Sequence, residues 1–264
     1  MELVDGKWLF PELIAMAYTL PRMFAMFSLL PMFNRQALPV LLRAGVAASI
    51  AVFIVPTLVE PANAVDRTGF EMLAVIVKEA GLGFIMGFII AIPIWAFEMM
   101  GDFIDNQRGA SIAQTLSPMT GHDTSPLGDL FSQACVIFLF ISGGFLLIVA
   151  SIIDSYRIFP VFAWWPHFDV STPTFLLGLL DRLMRLAVLM GAPVIIAMFL
   201  SEVGLALVSR FAPQLQVFFL AMPIKSGLAI FVLAVYTGTL FDFAGIEMAD
   251  IGNQMLTSLS TIFN

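Results

Sequence analysis

The sequence predicts an all-α integral membrane protein of about six to eight apolar helices, several of them bent or broken. Three observations predict it. Of 264 residues, 60% are hydrophobic and only 12% charged, a composition outside the range of ordinary soluble domains. The apolar residues gather in successive blocks, roughly 9–32, 40–59, 72–100, 130–153, 175–208 and 218–243, each of helical length. Finally, no polar stretch is long enough to form a separate soluble domain, so a single membrane domain over 1–264 is expected.

The N-terminus, MELVDGKWLFPEL, carries acids where a signal peptide has a basic region. No cleaved targeting segment is expected, and the block 9–32 should persist. Block 72–100, about 43 Å long as a helix against a hydrocarbon core of about 30 Å, contains Pro93. It should bend or project beyond the lipid. Within it, Gly81, Gly83 and Gly87 have the small-residue spacing of close helix packing. Block 130–153 has no charged residue and reads as the cleanest single span.

Several blocks carry charges that a lipid-facing span does not tolerate: Arg22 beside Pro21, Lys78, Glu79, Asp181, Arg182, Arg185 and Lys225. Each costs about 2.5 to 3.5 kcal/mol at a lipid-facing midplane. Asp181 and Arg185, four apart, can pair on one helical face, with Arg182 on another. Taken together these charges call for burial against other subunits. Scattered single Lys and Arg residues fix no orientation. The Pro-rich aromatic stretch 159–173, FPVFAWWPHFDVSTP, suits a headgroup-level loop.

Composition and motifs exclude several functions. A net charge of −7 without a basic cluster excludes nucleic acid and a polybasic lipid patch. Cys135, the single cysteine, lies in an apolar run and reads as a small buried hydrophobe. His122 and His167 lack neighbours at metal-ligand spacing, and no nucleophile elbow, P-loop or dinucleotide fingerprint occurs. The chain is therefore read as a non-enzyme with no cofactor and no metal.

What remains is the polar segment 101–129, GDFIDNQRGASIAQTLSPMTGHDTSPLGD, between two apolar blocks. Hydrocarbon cannot satisfy its backbone, so it must be wet or buried against protein. Glu98, Asp102 and Asp105 fall within about 60° on a helical wheel and lead into Arg108 and Gly109. This stripe fits two readings. It is a solute or proton path of a stand-alone transporter, with Asp102, Asp105 and Arg108 as its site. Alternatively it is a helix leaving the membrane, with Gly109 as its C-cap and Asp105 the nearest partner for Arg108.

Two motifs carry a resemblance over essentially the whole chain: IDNQRGASIAQTLSPMTGHDTSPLG, residues 104–128, and SEVGLALVSRFAPQLQVFFLAMPIKSG, residues 201–227. Their order and spacing resemble the T component of the type III secretion export apparatus, the FliR/MopE/SpaR family. Asp105 to Ala110 and Lys225-Ser226-Gly227 look like its injectisome branch. One departure is Ser117-Pro118, where relatives commonly have Asp-Pro; the proline still restricts the turn. The resemblance implies a helical multi-subunit export gate in the bacterial inner membrane, passing unfolded secreted proteins. It implies R and S subunits as partners, with the switch (U) and export-gate (V) components and the inner rod also in contact. The N-terminal part of the chain would be R-like and residues from about 175 to 264 S-like. Loop 106–120 would plug the resting pore, with Asp105, Asn106, Gln107, Arg108, Gly109, Ala110, Ser111 and Pro118 as gate residues. Arg210, Pro213, Gln214 and Lys225 would lie at subunit contacts.

Overall fold

The computed structural model describes residues 9–33, 38–63, 68–109, 125–163, 172–212 and 217–263. The described residues are helical, with no strand among them. In chain order the helices are α1 (Leu9–Leu29), α2 (Val40–Asn63), α3 (Gly69–Arg108), α4 (Pro126–Ile141), α5 (Gly144–Ile158), α6 (Thr172–Phe211) and α7 (Val217–Phe263), with a 3-10 turn at Pro31–Phe33. Four are long and apolar enough to cross a membrane, within 40–60, 69–108, 177–211 and 220–249. A fifth crossing exists if α4 and α5 count as one broken span. The chain is a multi-pass membrane protein.

The block expected to be the cleanest span is the one that breaks. Between α4 and α5 the axis turns by 75°. Ser142 ends α4, its N–H donating to the Phe138 carbonyl, and Gly143 takes φ +78°. Side chains pay about 1–2 kcal/mol in that left-handed region, which glycine does not. Hydropathy is blind to this, since Ser142-Gly143-Gly144 interrupts no apolar run strongly enough to register.

The chain divides into two compact units, each assembled from separate stretches of sequence. The first comprises 1–91, 143–176 and 249–264. Here α1 buries Ala15, Tyr18, Thr19, Arg22, Met23, Met26 and Phe27, one stripe at helical spacing. Helix α2 packs on α1 and buries Ala47, Ile50, Ala51, Ile54 and Leu58. Gly83 and Gly87 of α3 lie directly on the α1 backbone at Arg22 and Met26, so close that a Cβ at either would overlap main-chain atoms. Four-residue spacing on both helices makes this the close packing anticipated. Gly81, by contrast, faces open space and takes no part.

The second unit comprises 92–142 and 177–248. Its buried residues again repeat at helical spacing: Phe97, Met100 and Ile104 on α3, Phe131, Cys135 and Leu139 on α4, Leu183, Ala187, Met190, Val194 and Met198 on α6, Leu233, Leu240 and Ala244 on α7. Phe241 of α7 packs against both Phe97 and Phe138, with centroids 5.8 and 5.3 Å apart. Large apolar side chains also point outward, Leu41, Phe53 and Phe231 among them, as befits a protein immersed in lipid or in other membrane subunits.

Candidate functional site: the closed base of the polar loop

Both ends of the polar segment 101–129 are helical. Helix α3 runs on to Arg108, and Gly109 (φ +83°) ends it, its N–H donating to the Asn106 carbonyl at 3.2 Å. This is the glycine C-cap read from the sequence. Helix α4 begins at Pro126, four residues before the apolar block suggested. Ser125 is its N-cap and accepts from the Gly128 N–H at 3.0 Å, with proline at the first helical position.

The two roots of the loop are joined by one carboxylate. Asp105, 4% exposed, accepts through Oδ2 from the Ser125 hydroxyl at 2.7 Å and from the Leu127 N–H at 2.9 Å. It thereby satisfies an otherwise orphaned donor of α4 and places negative charge at that helix's positive end. Its other oxygen lies 2.7 Å from Nε of Arg108. Neither atom makes a hydrogen bond, so this contact is Coulombic, with the N–H not aimed at the oxygen. The roots also touch main chain to main chain: at Gly101 of α3 there is no room for a Cβ beside Leu127 and Gly128.

The remaining stripe residues line the same junction. Glu98 receives a long hydrogen bond from the Ser132 hydroxyl at 3.4 Å, and the Asp102 carboxylate lies against Gly128. Asn106 is exposed, while Gln107, Arg108 and Gly109 are half-buried. Ala110, Ser111 and Pro118, with most of loop 106–120, lie outside the described residues. So do Pro213, Gln214 and both histidines.

With that geometry in place, the comparison with known proteins is informative. The family model for bacterial export proteins, family 1, matches residues 13–251. The chain belongs to this family. It is 40% identical over 226 residues to the Yop proteins translocation protein T of Yersinia pestis, covering 85% of this chain and 86% of that one. To the secretion system apparatus protein SsaT of Salmonella typhimurium it is 32% identical over 225 residues, 84% and 86% of the two chains. To the flagellar biosynthetic protein FliR of Bacillus subtilis it is 30% identical over 221 residues, 83% and 85%. Identity is thus higher to the two secretion proteins than to the flagellar one, in keeping with the injectisome-type motifs.

Within this export-family chain, the charges that compromise the helices have internal partners. In the first unit, Arg22 (1% exposed) donates from Nε to Glu79 Oε2 at 2.6 Å, from Nη1 to the Ser155 hydroxyl at 3.0 Å and from Nη2 to the Phe159 carbonyl at 3.0 Å. Its guanidinium stacks on Tyr156, 3.9 Å from the ring centroid. Lys78 donates to the carbonyls of Pro160, Val161 and Ala163 and lies 3.1 Å from Glu79 Oε1. Two cations therefore share one buried carboxylate and draw the remaining compensation from the Ser155 hydroxyl of α5 and from the carbonyls of the turn 159–163 that follows it.

The second unit repeats the solution less deeply. Asp181 and Arg185 pair at 3.3 Å in the open, as their spacing indicated. Arg182 reaches Glu247 of α7, and Lys225 reaches Glu202 of α6 at 2.6 Å. Of the charges for which the sequence called for burial, Arg22, Lys78 and Glu79 are buried within the chain itself. Arg210, in the last turn of α6, is exposed. Ser125, Ser155 and Tyr156 are functional neighbours that the sequence does not single out; of these only Ser125 carries a local signal, the Ser-Pro helix start.

Proposed function

We propose that this chain is a non-enzymatic subunit of a type III protein secretion export gate in the bacterial inner membrane. With R and S subunits it forms a pore for unfolded substrate proteins, the N-terminal part R-like and the part from about 175 S-like. Contacts to the switch and export-gate components and to the inner rod complete its surroundings, and Arg210, Pro213, Gln214 and Lys225 lie at subunit contacts. Loop 106–120 closes the pore at rest. The observation that carries this reading is the closed base. Asp105 fastens both roots of a polar segment between two apolar helices, which holds the two ends of that segment together.

The stand-alone transporter gains no support from this geometry. Asp105 Oδ2 already accepts two hydrogen bonds and Arg108 lies against Oδ1, which leaves the pair poorly placed to bind and release a solute. Gate function is tested by cargo contact. A photo-crosslinking residue in place of Gln107, in the assembled apparatus carrying a substrate stalled by a folded C-terminal domain, should capture that substrate. Capture confined to neighbouring subunits would contradict the proposal.

A further inference from the structure

The first unit holds a half-open cavity of about 370 Å³. Phe53, Ile54, Thr57 and Leu58 of α2 form one wall and Ile153, Tyr156 and Arg157 of α5 another, with Pro160, Val161 and Phe162 closing one end. Its size is at the lower end of small-ligand sites and suits a single extended apolar chain.

The polar atoms lining it are spent elsewhere. The Thr57 hydroxyl donates to the Ile54 carbonyl at 2.6 Å and the Tyr156 hydroxyl to the Thr19 carbonyl at 2.9 Å. The carbonyls of Pro160 and Val161 are taken by Lys78. The interior surface is therefore mostly apolar and offers a polar group few hydrogen-bond partners. Arg157 is different. Its side chain is 80% exposed at the rim, and among the described residues its guanidinium meets only Asp154, at 3.4 Å. A solvated pair at that distance holds its partners weakly and leaves most of the guanidinium donors free. Arginine offers planar donors suited to a phosphate oxygen, and Asp154, 44% exposed beside it, suits an ammonium group.

We infer that this cavity is a phospholipid site. One acyl chain lies between α2 and α5, the phosphodiester sits on Arg157, and a primary ammonium of the headgroup sits on Asp154. Charge complementarity selects a zwitterionic aminophospholipid over a singly anionic one, because the paired rim carries both signs. The inference rests on the membrane character of the chain and is independent of the gate reading.

Native mass spectrometry of the purified, delipidated full chain tests it, with phosphatidylethanolamine or phosphatidylglycerol added back. Retention of one phosphatidylethanolamine above phosphatidylglycerol is expected. Arg157→Gln, at an exposed position that should not disturb folding, should lower it about tenfold, the scale of one charge-assisted hydrogen bond. Asp154→Asn should erase the preference between the two lipids while keeping binding. Ile153→Trp, which fills the cavity, should block both. Equal retention by the wild-type chain and Ile153→Trp would overturn the site, and a preference for phosphatidylglycerol would overturn the headgroup assignment.

Discussion

Glu79→Gln is expected to be the most damaging single substitution in the described part of this chain. It removes the one carboxylate that, among the described residues, faces Arg22 and Lys78, both buried, and leaves two cations in a low-dielectric interior. Breaking one side of a buried ion pair costs about 3–5 kcal/mol, a large share of the stability of any domain. The chain should then fail to accumulate in the membrane fraction, and what is recovered in detergent should melt well below wild type. Replacing Arg22, Lys78 and Glu79 together by methionine removes the charges and should restore part of the loss. Recovery stays partial, because the carbonyls of Phe159, Val161 and Ala163 lose the donors that Arg22 and Lys78 supply. Wild-type levels and melting for Glu79→Gln would show that the cluster does not hold the first unit together.

Asp105→Ala should act differently, on the loop and not on folding as a whole. The Ser125 hydroxyl and the Leu127 N–H lose their acceptor, and Arg108 loses its counter-charge. Removal of such an acceptor at a helix N-terminus costs about 1–3 kcal/mol, enough to separate two roots that one residue fastens. Spin labels at Asn106 and Asp129, both exposed, should report a narrow distance distribution in the wild type and a broad one in the variant. Asp105→Asn keeps one acceptor oxygen and should fall between them. Export should drop in Asp105→Ala while the chain still inserts and accumulates. A distribution unchanged by the substitution would remove Asp105 from its role as the fastener.

These two sites differ in how far the sequence disclosed them. Contacts along one helix were readable from spacing alone: Arg108 with Asp105, Arg185 with Asp181, and Gly109 ending α3. Each joins residues within a single turn, where backbone geometry fixes who meets whom. Arg22 and Glu79 are 57 residues apart, and Arg182 and Glu247 are 65 apart. The cost of such charges was evident from hydropathy, but their partners depend on which helices pack, and no spacing rule supplies that. For Asp105, spacing supplies Arg108 but not Ser125 and Leu127, because those partners belong to the start of the next helix. The break at Gly143 was hidden for another reason: a sharp turn made of small residues leaves mean hydropathy almost unchanged.

The two sites also divide the work of the chain. Arg22, Lys78 and Glu79 fix α1, α3 and the end of α5 in the first unit, and they are buried too well to meet cargo. Asp105 fixes the roots of a polar loop in the second unit and leaves Asn106 exposed beside the helix end.

The central claim, that this segment closes a pore, is tested most directly by conductance. The assembled complex, reconstituted in a planar bilayer with residues 110–120 replaced by a short Gly-Ser linker, should pass small ions at rest. The wild-type complex under the same conditions should be tight. A deletion complex as tight as the wild type would contradict the account.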